Sequence, residues 1–303
     1  MMMKVDGKII SAHFLTIFLW ASAFPAIRVA LTAYSPEHVS LLRLLVGSSF
    51  LFFIALFLKI RLPHVKDIPI IFLLGFLAFA VYHVALNYGE QTVSAGTASL
   101  LVSTTPILTA VFSVFFLNKS FQIQGWIGAL TAFIGVGFIT LGHSSSHFEF
   151  NLGVILILIA ALAESIYFVF QSALLKKYGV IPFTIYTIWA GCLCMLVFSP
   201  GLGQAITNAP LYTTLVVIYL GLFPTVIPYF ALAYVITKTG AAEATASLYL
   251  TPVFAFIIAW IWLGETPSVY AIIGGIITLL GVTISSMKWE KGQTLLPHAK
   301  EGH

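Results

Sequence analysis

The chain has 303 residues, 60% of them hydrophobic and only 8% charged, with a formal net charge of +4 and a mean hydropathy of +1.04. Soluble domains run about 45–50% apolar and roughly 25% charged, so a soluble enzyme, a disordered chain and a coiled coil are all excluded. The length, which alone suggests about two domains, belongs to a polytopic membrane protein.

Ten apolar segments follow in chain order: Ser11–Ala30, Val39–Leu58, Ile68–Tyr88, Ala95–Leu117, Gln124–Leu141, Leu152–Leu175, Phe183–Phe198, Tyr212–Ile236, Ala241–Leu263 and Val269–Met287. Each is a continuous apolar run, which suits a helix crossing a core ~30 Å thick. Barrel strands would alternate apolar and polar residues over about ten positions. Backbone facing lipid must bond to itself, so the expected fold is all-α, with ten transmembrane helices. The connections are too short for a soluble domain, which places the function inside the membrane. The first segment imitates a signal peptide, with Lys4 and Lys8 before the apolar run and Ala21-Ser22-Ala23 after it. The run continues past that point, and the repeat described below needs ten helices, so it reads as helix 1. Cys192 and Cys194 sit two apart on one helix, point to different faces, and read as small core side chains.

The basic residues orient the chain. Lys4 and Lys8, then Lys59, Arg61 and Lys66, then Lys119, Lys176, Lys177 and Lys238, and finally Lys288, Lys291 and Lys300 all fall on one side if the N-terminus is cytoplasmic. The outer loops then hold none, and only Arg28 and Arg43 lie within helix ends. A split of this kind places both termini in the cytoplasm. The net charge therefore reports orientation and gives no reason to expect a nucleic acid partner.

The two halves match at an offset of 146 residues. Gly75 pairs with Gly221, Ala85-Leu86-x-Tyr88 with Ala231-Leu232-x-Tyr234, and Thr105-Pro106 with Thr251-Pro252. Gly128, Gly135 and Val136 pair with Gly274, Gly281 and Val282. Each repeat holds five helices, an odd number, so the second must enter the membrane from the opposite side. The repeats span 11–141 (helices 1–5) and 152–287 (helices 6–10), with a cytoplasmic tail at 288–303. Inverted repeats mark secondary transporters with a substrate site near the midplane, although some channels have them too.

Trp20 to Leu31 (Trp-Ala-Ser-Ala-Phe-Pro-Ala-Ile-Arg-Val-Ala-Leu), Ala246-Ser247-Leu248-Tyr249-Leu250-Thr251-Pro252-Val253, Leu263-Gly264-Glu265 and Gly274-Gly275 with Gly281 together resemble EamA-type members of the drug/metabolite transporter superfamily. The resemblance covers about residues 11–286. Asn118-Lys119-Ser120 departs from it, where the first repeat often carries a pair like Gly264-Glu265. The resemblance implies two inverted EamA domains and a cavity lined mainly by helices 1, 3, 4, 6, 8 and 9. It implies peripheral helices 5 and 10 that could support a homodimer. It further implies export of amino acids, other metabolites or toxic organic compounds across a bacterial inner membrane.

Polar groups at membrane depth are the candidate site, since charged ones cost roughly 2.5–3.5 kcal/mol on insertion scales. Glu164, Tyr167 and Gln171 share one face of helix 6. Glu164 is the one carboxylate deep in a span; its charged form is costly there, which suits proton coupling or pairing with a substrate amine. His83, Asn87 and Glu90 form a second stripe on helix 3, beside Tyr82, and Tyr229 is the repeat partner of His83. Ser99 and Ser103 on helix 4, and Tyr249 on helix 9, face the same way as the paired prolines Pro106 and Pro252. Those prolines, with Pro224 and Pro228, remove backbone bonds and mark flexing points. Trp20 with Tyr82, Tyr167, Tyr229 and Tyr249 gives an aromatic-lined cavity suited to flat or partly apolar solutes. Arg28 and Arg43 read as snorkelling side chains near the outer ends of helices 1 and 2, or Arg28 as an outer gate with Glu90 or Glu37. His143 and His147, with Glu149, read as a flexible outer loop and not as a metal site; no cofactor is expected.

The function expected from the sequence is secondary transport, in the export direction, of a small amphiphilic metabolite such as an amino acid, by alternating access, with the proton as an optional coupling ion. A carrier of phosphorylated or nucleotide sugars is the alternative in the same class. It needs Lys or Arg in the cavity, and helices 3, 4, 6, 8 and 9 hold none at mid-depth. A channel is the second alternative. An intramembrane enzyme would need a paired acid and base, which Glu164 alone does not supply.

Overall fold

The computed structural model describes residues 7–117, 123–141 and 152–286. Lys4, the Asn118-Lys119-Ser120 loop, the His143, His147 and Glu149 loop, and the tail with Lys288, Lys291 and Lys300 lie outside the described residues. Among the described residues the regular structure is entirely helical. Eight spans are long and apolar enough to cross a membrane: α1 Gly7–Ala30, α2 Pro36–Phe57, α3 Val65–Gly89, α4 Ala95–Leu117, α6 Leu152–Tyr178, α7 Val180–Phe198, α8 Leu211–Thr239 and α9 Ala241–Leu263. Two further helices, α5 Ile123–Leu141 and α10 Val269–Ser286, contain shorter apolar stretches. A short helix at Leu202–Asn208, not expected from hydropathy, precedes α8.

Local chemistry sets the ends. Ser35 caps α2 through its side chain on the His38 N–H, with Pro36 in the first turn, where a missing N–H costs nothing. Ser94 caps α4 on the Thr97 N–H. Gly264 closes α9 in the left-handed region at φ 68°, which glycine adopts without steric cost.

Four of the spans are interrupted, in two matched pairs. A π-helical stretch occupies Phe76–Val81 of α3, and α8 leaves helical geometry between Leu222 and Ile227; an offset of 146 brings these together. Likewise α4 breaks between Val102 and Thr105, and α9 tightens to a 3-10 turn over Ala246–Leu250 before Thr251. The break in α8 has a chemical cause. Pro224 has no N–H for the Leu220 carbonyl, which instead accepts from the Thr225 N–H at 3.1 Å and from the Thr225 hydroxyl at 2.8 Å.

Packing follows the same approximate two-fold. α1 packs on α8 and α9, while α6 packs on α3 and α4; α2 meets α8, while α7 meets α3. The repeats thus exchange partners instead of folding separately. In lipid there is no hydrophobic drive between helices, so close contact relies on small residues. A Cβ on Gly75 would lie 2.4 Å from the Thr187 carbonyl of α7, and one on its repeat partner Gly221 2.6 Å from the Arg43 carbonyl of α2. α5 and α10 pack on each other. There Gly135 abuts the Gly274 carbonyl and Gly281 the Gly128 carbonyl, and the Thr278 hydroxyl lies 3.5 Å from the carbonyl of its own repeat partner, Ala132. Ascending numbers in one helix meet descending numbers in the other, so the two equivalent helices are antiparallel, as inverted repeats require. The outward surface carries large apolar side chains such as Phe57, Leu62 and Ile261, as a lipid-facing surface does.

Candidate functional site

A small cavity of about 30 Å³ lies where the two repeats meet. α1 contributes Trp20, Phe24 and Ile27, one helical stripe, and α2 contributes Arg43. Tyr82, His83 and Leu86 come from α3, just past its π-helical stretch, and Ser99, Val102 and Ser103 come from α4, leading into its break. Glu164 of α6, Tyr229 of α8, and Leu248 and Thr251 of α9 complete the wall. All four interrupted helices thus line the cavity with residues in or within three positions of their irregular turns. Non-helical backbone is tolerated at membrane depth where it is buried in protein or lines a cavity.

Glu164 is 2% exposed, and its Oε1 accepts a bond from the Tyr229 hydroxyl at 3.2 Å. Trp20 meets Tyr229 edge-on, with ring centroids 5.2 Å apart, and donates its indole N–H to the Pro224 carbonyl at 3.1 Å. That carbonyl is available because Pro228, four residues on, has no N–H. His83 lies 2.8 Å from the Phe79 carbonyl through Nδ1. A carbonyl only accepts, so Nδ1 carries the proton and Nε2 is the ring's acceptor. The hydroxyls of Ser99 and Ser103 donate to the carbonyls of Gly96 and Leu100 in their own helix, each at 2.6 Å. They meet the cavity as acceptors.

The structure brings seven of the sequence candidates together on this wall: Trp20, Tyr82, His83, Ser99, Ser103, Glu164 and Tyr229. Four others stand elsewhere. Tyr167 packs behind the wall against Phe79, Phe183 and Tyr229, with its hydroxyl 3.4 Å from that of Thr187. Asn87 staples α3 to the start of α2, donating to the Pro36 carbonyl at 3.2 Å and to the Ser40 hydroxyl at 2.8 Å. Gln171 is buried farther along α6. Tyr249 packs beside Ile107 and Ala132, and its neighbour Leu248 takes the cavity position.

Arg43 is the residue that sequence reasoning missed. It does not snorkel: it is 2% exposed and donates Nε to the Thr225 hydroxyl at 2.9 Å. The helix begins at Pro36, ahead of the apolar run that starts at Val39, so Arg43 lies two turns inside it. The outer gate also differs from expectation. Arg28 pairs with the Glu265 carboxylate at 3.3 Å and donates to the Glu90 backbone carbonyl, not to a carboxylate of Glu90 or Glu37. Glu265 also accepts from the Ala95 N–H at 2.9 Å, and Glu37 accepts from Tyr88 at 2.8 Å. At the opposite end, Asp67 pairs with Lys177 and accepts from the Tyr178 hydroxyl, and the Tyr186 hydroxyl donates to the Arg61 carbonyl. Ser247 of α9 meets His13 of α1 at 2.6 Å. Polar contacts between the repeats therefore lie on both sides of the cavity.

The model of the EamA-like transporter family matches residues 7–141 and again 151–287. The chain belongs to this family. As an EamA-like protein it is similar to the uncharacterized transporter YdfC of Bacillus subtilis (strain 168), at 52% identity over 96% of this chain and 94% of that one. It is 35% identical to a protein of Streptantibioticus cattleyicolor named "Probable terminal-alkyne amino-acid exporter", over 92% of this chain and 93% of the other. The uncharacterized inner membrane transporter YedA of Escherichia coli (strain K12) matches at 29% identity over 85% of this chain and 83% of the other. A solved crystal structure at 17% identity superposes with a TM-score of 0.66 over 93% of this chain and 97% of that one, which supports the fold alone. The EamA-like chain is an integral membrane transporter.

Proposed function

We propose that this transporter exports a small amphiphilic metabolite, an amino acid or a related compound, by alternating access. The observation that carries the reading is Glu164: a buried carboxyl facing an aromatic cavity at the junction of the two repeats, held by Tyr229. Such a group can exchange a proton or pair with a substrate amine, while Trp20, Phe24 and Tyr82 supply an apolar surface for the rest of the molecule. Rocking of the repeats would break one set of end contacts while keeping the other, Arg28–Glu265 on one side and Asp67–Lys177 on the other. The relative named as an amino-acid exporter supports the substrate class, and the basic residues of the sequence support cytoplasmic termini. In this reading the proton is the coupling ion, repeats 11–141 and 152–287 are the moving halves, and a homodimer is compatible but not needed.

A phosphorylated substrate regains one argument, because Arg43 lines the cavity. One guanidinium with no lysine beside it suits a single negative charge better than a phosphate's two. The test is uptake of labelled amino acids into liposomes containing the purified protein. Saturable uptake, competed by related amino acids and absent in empty liposomes, is expected. No uptake of any amino acid, with saturable uptake of a sugar phosphate, would contradict it.

A further inference from the structure

Arg43 is the one Lys or Arg buried within the described spans. A guanidinium does not lose its charge in a protein, and an isolated buried charge is among the costliest features a membrane protein can hold. Arg43 has no carboxylate within salt-bridge distance, and the charge of Glu90 reaches it only from farther off. The ion pairs among the described residues are Arg28–Glu265 and Lys177–Asp67, and Arg43 is in neither. Nε is spent on Thr225 at 2.9 Å, while Nη1 is buried with no hydrogen-bond partner. The side chain is nevertheless placed deliberately. The Thr225 hydroxyl that receives Nε is itself fixed on the Leu220 carbonyl that Pro224 set free, and the Arg43 backbone is pressed against Gly221. The break in α8 thus anchors one edge of the guanidinium and leaves the rest at the cavity wall.

We infer that Arg43 is the receptor for a carboxylate on the transported compound. A guanidinium offers parallel N–H groups that match the two oxygens of a carboxylate. A bound carboxylate would supply both a counter-charge in direct contact and the missing acceptor. The inference rests on the reading that the cavity carries amino acids, and adds the point of recognition. Glu164 is then left for the amine or the proton, so each half of a zwitterion has a partner of opposite charge in one cavity. Glu90 is the competing counter-ion: it is 0% exposed, neither carboxylate oxygen has a hydrogen-bond partner, and its charge already acts on Arg43 from beyond salt-bridge distance. If Arg43 served to pair with Glu90 in another conformation, its loss would impair every substrate alike.

The test uses the full-length protein in detergent and reads thermal stabilisation by each of the twenty amino acids and by the matching amines that lack the carboxylate. The wild-type protein should bind its preferred amino acid at least about tenfold more tightly than the matching amine. Arg43→Gln should weaken the amino acid to the level of the amine and leave the amine unchanged, and Arg43→Lys should restore part of the difference. Equal binding of amine and amino acid by the wild type would overturn the inference without needing any variant, so a poorly folding Arg43→Gln does not shelter it. Equal weakening of both ligands by Arg43→Gln would overturn it in favour of pairing with Glu90. If no amino acid binds the wild type, the substrate class itself falls; if amino acids bind without regard to Arg43 or the carboxylate, only this inference does.

Discussion

Trp20 of α1 donates its indole N–H to the carbonyl of Pro224 in α8. The carbonyl is free only because Pro228 cannot donate to it, so the irregular turn of one repeat is completed by a cavity residue of the other. Trp20→Phe keeps an aromatic ring and removes the bond, leaving a buried acceptor unsatisfied at a cost of about 1–3 kcal/mol. A thermal or denaturant titration in detergent should show that loss. Pro228→Ala restores a backbone donor to the same carbonyl, so the two substitutions should be non-additive in a double-mutant cycle. Additive effects would show that the contact is incidental.

The matched glycines predict matched damage. Gly75→Ala and Gly221→Ala would each drive a methyl group into the facing helix backbone, at 2.4 Å and 2.6 Å. Each should destabilise the protein by about 1–3 kcal/mol, the range for overpacking a tight contact. Gly203→Ala, where nothing lies within 4 Å, should be near neutral in the same assay.

The Arg28–Glu265 pair is partly exposed, at 35% and 21%, so its direct worth is below about 1 kcal/mol. Its role should appear in access to the cavity and not in overall stability. In a background with Cys192 and Cys194 replaced by alanine, a cysteine introduced by Ser99→Cys reports on that access. Glu265→Gln should speed its labelling by a membrane-impermeant maleimide, by up to about fivefold for a 1 kcal/mol shift. An unchanged rate would remove this contact from any gating role.

The sequence was most informative where the membrane constrains it most. Ten apolar runs, the register of 146 and an odd number of helices per repeat led to the antiparallel meeting of Ala132 and Thr278. The prolines marked the interruptions in α4, α8 and α9, but the π-helical stretch at Phe76–Val81 contains no proline and left no such mark. Helical stripes placed Glu164 and His83 on the cavity, yet misjudged their neighbours. A stripe defines a face, and at Asn87 and Tyr167 that face is already covered by α2 and by Phe79. Arg43 was hidden by its position. Near the edge of an apolar run a cation reads as an interface anchor; its burial follows from α8 packing over it through Gly221 and Thr225, a contact between residues 182 apart in the chain.

Glu164 is the one described carboxylate on the cavity wall. If it takes up and releases the coupling proton, Glu164→Gln should flatten the pH profile of transport while leaving substrate exchange at fixed pH measurable. Tyr229→Phe keeps the carboxyl and removes its 3.2 Å bond, so the profile should move without being abolished. A Glu164→Gln protein with an unaltered pH profile would exclude this carboxyl from coupling.

Alternating access is the central claim, and counterflow tests it most directly. Liposomes containing the protein are loaded with an unlabelled amino acid at high concentration and diluted into a trace of the same compound carrying a label. A carrier whose one cavity faces each side in turn will accumulate label transiently above its outside concentration, and will do so only in loaded vesicles. A monotonic approach to equal concentrations, indifferent to what the vesicles contain, would mean a continuous pore and would contradict the account.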